Sequence, residues 1–174
     1  MIVLIVGPMF SGKTSSLLTK LERAIIAKKR VVLLRPGIDN RGFLSHSGKT
    51  LDIQEQFISD LNDFDMSKYD VIGIDEGQFH KHLKEFVIRA IKTNKVIYIS
   101  ALHATSESEM FEEIVKVLPY CEEIIKLNAI CTKCGSEYGN YTFFKSGKKT
   151  EKVVVGGIGS YTALCDNCYF QEME

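Results

Sequence analysis

The sequence lacks an excess of charge of either sign. Lys plus Arg and Asp plus Glu number 22 each, giving a formal net charge of zero. Such a balance argues against a protein that binds nucleic acid by broad attraction to phosphates, but leaves room for a local basic site for a small anion. Long apolar runs are also missing: none approaches the roughly 18 residues of a membrane-spanning helix. The opening Met1-Ile2-Val3-Leu4-Ile5-Val6 has no basic stretch before it and leads straight into a glycine loop. It reads as a buried strand rather than a leader peptide. Internal repeats and low-complexity tracts are absent. Nor are the five cysteines scattered as in a secreted disulfide framework: four form two Cys-x-x-Cys pairs near the C-terminus, and Cys121 stands alone as a partly buried apolar residue. That pattern suits a reducing compartment and a metal.

What is present is enough for one compact domain with a small appendage. Of the 174 residues, 45% are hydrophobic, which allows a sizeable core. Ile2 to Val6, Arg30 to Leu34, Asp70 to Asp75 and Lys95 to Ala101 are short and rich in Val and Ile, as strands buried on both faces are. Between and after them, Gly12 to Ala27, Lys81 to Lys92 and Glu107 to Leu118 carry apolar residues at helical spacing, the last ending at Pro119. Strand–helix alternation predicts an α/β fold with a mainly parallel sheet, and Ile124 to Leu127 adds a further strand. Pro36 to Thr50 lacks a period and reads as a loop. At Cys131 the composition shifts toward glycine, tyrosine, lysine and cysteine with little helical signal, so residues 1–128 and 129–174 are expected to form a main domain and a small metal-bound one.

Gly7-Pro8-Met9-Phe10-Ser11-Gly12-Lys13-Thr14 fits G-x-x-x-x-G-K-[ST], with a strand before it and a helix after it. Its glycines let backbone amides wrap phosphate oxygens at a helix N-terminus. Lys13 is expected to reach the β- and γ-phosphates, and the Thr14 hydroxyl to ligate magnesium. Val71-Ile72-Gly73-Ile74 ends in Asp75-Glu76. Asp75 is expected on the strand beside the loop, holding the magnesium shell. Glu76 can take a proton from the attacking group, a substrate hydroxyl in a kinase or water in an ATPase. Cys131-Thr132-Lys133-Cys134 and Cys165-Asp166-Asn167-Cys168 can give one tetrahedral, structural zinc its four thiolates. Redox dithiols, an iron–sulfur cluster and free thiols are the competing readings.

The loop Gly7 to Thr14, the run Asp75-Glu76-Gly77-Gln78-Phe79 and the paired knuckles together resemble the cellular and poxvirus-type (type II) thymidine kinases over nearly the whole chain. The resemblance implies a RecA-like P-loop domain, a zinc-binding subdomain carrying a lasso loop, and a cytoplasmic homotetramer acting on a nucleoside with ATP, Mg²⁺ and structural Zn²⁺. Neither nucleic acid nor membrane is an expected partner. It assigns Glu76 as base toward the nucleoside 5′-hydroxyl. Asp39-Asn40-Arg41 matches the Asp-x-Arg element, so that Arg41 neutralises charge at the transfer centre. Met9, Phe79, Leu102 and Phe111 match residues around the base. Val155-Gly156-Gly157 with Tyr161 matches the lasso that closes over it.

The chain departs from the family after Leu102. Where the family has Asp-Gly-Thr-Phe and then basic residues, His103-Ala104-Thr105-Ser106-Glu107-Ser108-Glu109-Met110 stands here. This implies a roomier or more polar base pocket. His46 also fits a family position, though a solvated loop histidine accounts for it equally well, and His103 is expected to be non-catalytic. The alternatives are a RecA-like ATPase or nucleic-acid-binding module with a zinc ribbon, a relative that binds nucleotides without turnover, and a deoxynucleoside kinase of altered base specificity.

Overall fold

A computed structural model describes residues 1–37, 53–145 and 160–173. Six strands build one parallel sheet: β1 (Ile2–Gly7), β2 (Val31–Arg35), β3 (Gln54–Phe57), β4 (Val71–Ile74), β5 (Val96–Leu102) and β6 (Glu123–Lys126). They lie in the order β3-β2-β4-β5-β1-β6. Helices α1 (Lys13–Ile26), α2 (Leu83–Lys92) and α3 (Glu112–Val117) cover its faces. An antiparallel hairpin of β7 (Tyr141–Phe144) and β8 (Tyr161–Leu164) follows, with α4 (Asp166–Met173) after it.

The sheet is buried on both sides because successive side chains of each strand point to opposite faces. Ile2, Leu4 and Val6 join Ile72, Ile74, Ile97 and Ile99 under α2 and α3, whereas Ile5 joins Leu33 and Val71 under α1. Leu83, Phe86, Val87 and Ala90 repeat at three- and four-residue steps, which gives α2 one apolar stripe. Leu17, Leu18 and Leu21 do the same for α1. At Gly73 the helix comes so close that an added Cβ would sit 2.5 Å from Leu21 Cδ1, so the helix–sheet distance depends on that missing side chain.

Four sequence expectations change. The helix expected over Glu107 to Leu118 shrinks to Glu112–Val117, followed by a 3-10 turn at Leu118–Tyr120. The preceding residues instead fold into a tight loop: Thr105 N–H donates to Glu109 O at 2.8 Å, and Ser108 has φ of 62°. Strand β3, with the polar sequence Gln-Glu-Gln-Phe, was not anticipated because it lies on the sheet edge and has no buried run to betray it. The C-terminal segment does contain a helix, α4, whose sequence Asp-Asn-Cys-Tyr-Phe-Gln-Glu-Met has only a weak apolar stripe. Finally, β4 does not lie beside β1; β5 separates them.

The lower ends of β2 and β4 are clamped by Arg30 and Asp70. Arg30 donates to the Asp70 carboxylate from its backbone N–H, Nε and Nη2, at 3.0, 3.1 and 2.7 Å. These hydrogen bonds, first of all those of the guanidinium, hold the Asp70 carboxyl well below the usual range. A carboxyl depressed on folding stabilises fully above its unfolded pKa of about 4 and loses that contribution as pH falls toward its folded value. Asp70→Asn should therefore lower the urea midpoint at pH 7, and the gap to wild type should close as the measurement moves below about pH 4. A gap independent of pH would assign the loss to something other than this charge.

Candidate active site

Parallel strands deliver their C-terminal ends to one side of the sheet, where β1, β4 and β5 end in the glycine loop, Asp75-Glu76 and Leu102 respectively. The loop Gly7 to Thr14 leaves β1 and enters α1 through Gly12, whose φ of 79° is left-handed and favours glycine. Lys13 is buried and its Nζ donates to Pro8 O at 2.6 Å. Burial pulls its pKa down, while the nearby Glu76 and Asp75 carboxylates act in the opposite direction. Ser11 Oγ also donates to Pro8 O, at 2.9 Å.

Asp75 is only 3% exposed. It accepts hydrogen bonds from Thr14 Oγ1, at 3.1 and 3.3 Å to its two oxygens, and a short one from Ser100 Oγ. Although β5 lies between β4 and β1, α1 starts close enough for Thr14 to reach across. His80 Nε2 donates to the Asp75 carbonyl at 3.1 Å, and burial draws the His80 pKa down.

Glu76 takes up φ of 52° and ψ of 48°, a left-handed conformation uncommon for a residue with a side chain. Such strain persists where surrounding contacts over-determine it, and it clusters at functional sites. Gln78 holds the carboxylate: its Nε2 donates to Glu76 Oε2 at 2.6 Å, while its Oε1 accepts from Leu102 N–H at 3.0 Å. One amide thus sets the position of the carboxylate relative to β5. Phe79 meets Phe111 edge to face, with ring centroids 6.3 Å apart. Met9 N–H donates to Thr142 Oγ1 at 3.0 Å, which attaches the glycine loop to β7. Tyr161 is buried on β8, its ring 5.1 Å from that of Phe144. Arg41 and its neighbours Asp39 and Asn40, His46, and Val155-Gly156-Gly157 lie outside the described residues.

The four paired cysteines converge, with all sulfurs within 4.8 Å of one another. Cys134 and Cys165 sulfurs are 3.6 Å apart, too far for a disulfide bond of about 2.05 Å and close to the edge of a thiolate tetrahedron around a metal. Burial would raise Cys131, but hydrogen bonds from the Cys165, Cys134 and Lys133 backbone outweigh it and draw this thiol down. Four soft sulfur donors gathered this closely fit a thiophilic cation.

Three contributing residues escaped the sequence reading: Ser100, His80 and Thr142. Ser100 had a signal, being a polar residue inside an apolar strand. The others gain their meaning only from tertiary contacts.

A family model described as thymidine kinase matches residues 1–169. The chain belongs to the thymidine kinase family. It is 35% identical to the thymidine kinase of vaccinia virus (strain Western Reserve), over 97% of this chain and 96% of the viral one. Variola virus thymidine kinase matches equally, at 35% over 97% and 96%. The cytosolic thymidine kinase of Gallus gallus is 34% identical over 98% of this chain and 77% of its own. Membership accords with the RecA-like parallel sheet, whose acidic strand β4 is separated from the loop strand β1 by one other. Among the described residues, no helix is long and apolar enough to cross a membrane.

Proposed function

We propose that the chain transfers the γ-phosphate of ATP to the 5′-hydroxyl of thymidine or deoxyuridine, giving the monophosphate. The observation that carries this reading is the convergence of Lys13, Thr14, Asp75 and Glu76 at one end of the sheet in a chain of the thymidine kinase family. Free backbone amides of the loop Gly7 to Gly12 cradle the phosphates, while Pro8, which has no N–H, and Met9, whose N–H binds Thr142, shape the loop with Phe10 and Ser11, and Lys13 neutralises developing charge. The Thr14 hydroxyl and the Asp75 carboxylate are hard oxygen donors suited to magnesium. Magnesium, when bound, neutralises charge on the phosphate oxygens. Glu76, held by Gln78, accepts the proton of the nucleoside hydroxyl. Arg41 adds a further positive charge. Met9, Phe79, Leu102 and Phe111 line the base, and Val155, Gly156, Gly157 and Tyr161 close over it. Fixed backbone donors and acceptors favour one pyrimidine pattern, because a mismatched base leaves buried groups unpaired.

Residues 129–174 act as a subdomain stapled by one structural zinc on Cys131, Cys134, Cys165 and Cys168. Four thiolates support this reading, since they complete a tetrahedron and leave no open position for catalysis. A homotetramer working in the cytoplasm completes the proposal, on the family resemblance.

Steady-state kinetics with ATP, magnesium and a nucleoside panel test the reaction. Thymidine and deoxyuridine should be phosphorylated and purine nucleosides poorly. Glu76→Gln should keep both substrates bound while kcat falls about 10²- to 10⁴-fold. A purine with the highest kcat/KM would remove the base-pocket assignment, and a near wild-type Glu76→Gln would remove the base.

Metal analysis should find one zinc per chain. The metal should leave as pH falls, since protons compete for the thiolates, and its loss should raise the nucleoside KM more than the ATP KM. Native protein free of zinc would refute the staple.

A further inference from the structure

Tyr169 follows Cys168 on α4, and its hydroxyl reaches out of the cysteine unit. The residue is 3% exposed. Its ring stacks on Tyr141 with centroids 4.3 Å apart and meets Phe143 edge-on at 6.2 Å, which fixes it within the cysteine unit. Its backbone N–H donates to Cys165 O at 2.8 Å. From that anchor the hydroxyl donates to Ser106 O at 2.7 Å and accepts from Ser108 Oγ at 3.2 Å.

Ser106 and Ser108 lie at the tip of the loop between β5 and α3. The loop is closed at its base by a bridge between Ala104 and Met110. Inside it, Thr105 Oγ1 accepts from the N–H groups of Glu107 and Glu109 at 3.3 and 3.2 Å. Leu102 precedes the loop and Phe111 follows it, so whatever holds the tip also bears on both apolar residues. Leu102 N–H is in turn bound to the Gln78 amide that holds Glu76.

We propose that Tyr169 is a positioning residue for nucleoside binding: its hydroxyl ties the cysteine-bearing unit to the loop 103–110 and so sets the spacing of Leu102 and Phe111. This rests on the base-pocket reading above. The tie gives the metal unit a direct route to the nucleoside side of the site, separate from the Met9–Thr142 contact on the phosphate side. Rigid aromatic stacking makes the route effective, since a ring fixed on Tyr141 and Phe143 moves only with the unit that carries it.

Tyr169→Phe tests the tie, because it keeps the ring and removes only the hydroxyl. In the zinc-loaded variant the thymidine KM should rise about three- to ten-fold, the scale of one neutral hydrogen bond. The kcat should stay within about two-fold of wild type. The ATP KM and zinc content should be unchanged, the melting temperature should fall by no more than the few degrees one buried hydrogen bond accounts for, and amide hydrogen exchange over residues 104–110 should quicken. Ser108→Ala, which leaves the Ser106 bond in place, should show a smaller effect on both readouts. Unchanged thymidine KM in Tyr169→Phe overturns the proposal, as does unchanged exchange in the loop. A parallel loss of kcat, ATP affinity and thermal stability also overturns it, by making the hydroxyl a general support of the fold. If wild-type protein phosphorylates no nucleoside, the functional reading fails by itself, and faster loop exchange would then bear on the tie alone.

Discussion

A carboxylate buried to the depth of Asp75 has to be met by hydrogen-bond donors, because a charge withdrawn from water without them is far too costly. Thr14 on α1 and Ser100 on β5 meet that demand. Three elements distant in sequence are thereby fixed to one corner of the sheet. The rest of the site depends on that corner. Glu76 follows directly in the chain, Gln78 grips it and reaches Leu102, and the loop with Lys13 is brought under the same two carboxylates. The strained backbone of Glu76 is tolerable because its neighbours are already immobilised by this arrangement.

The cysteine unit is organised differently. Among the described residues its buried cluster consists of Cys131, Leu164, Cys165, Cys168 and Tyr169, with Tyr141 and Phe143 packed against it. Units of such size generally need a metal or disulfides in place of a core. Four convergent sulfurs offer the donor set for such a metal. The unit reaches the main sheet through hydrogen bonds, Thr142 to the glycine loop and Tyr169 to the loop after β5. Hydrogen bonds of this kind are directional and individually modest, so they orient the unit more than they weld it on.

The parts legible in the sequence are those dictated by local pattern. Ile2 to Val6 reads as a buried strand because its neighbours on both sides are apolar, and it is one. Gly12-Lys13-Thr14 marks the start of a helix through a conformation only glycine adopts easily, and the paired cysteines announce their meeting by spacing alone. What escaped was decided elsewhere in the fold. The polar β3 is a strand because β2 offers it an open edge, not because of its own residues. Residues Glu107 to Phe111 have helical spacing, yet a turn held by Thr105 and the pull of Tyr169 on Ser106 take them out of the helix. The sequence also could not tell that β5 would come between β4 and β1, since strand order follows from which crossovers pack, and side-chain periodicity is silent on that.

The placement of β1 between β5 and β6 bears on how the chain reaches this state. β1 is an interior strand, and both its partners come from the second half of the sequence: Ile2 pairs with Ile97, and Val3 with Glu123. Its five consecutive apolar residues therefore stay unpaired until β5 and β6 have been made. Topologies dominated by such distant pairings fold slowly and expose adhesive surface in the meantime. The neighbouring α1 can cover one face of the strand early, as Leu17, Leu18 and Leu21 follow it closely, but the edges stay open until β5 arrives. Closure of the sheet around β1 therefore requires both β5 and β6, whose residues lie about a hundred positions further along the chain.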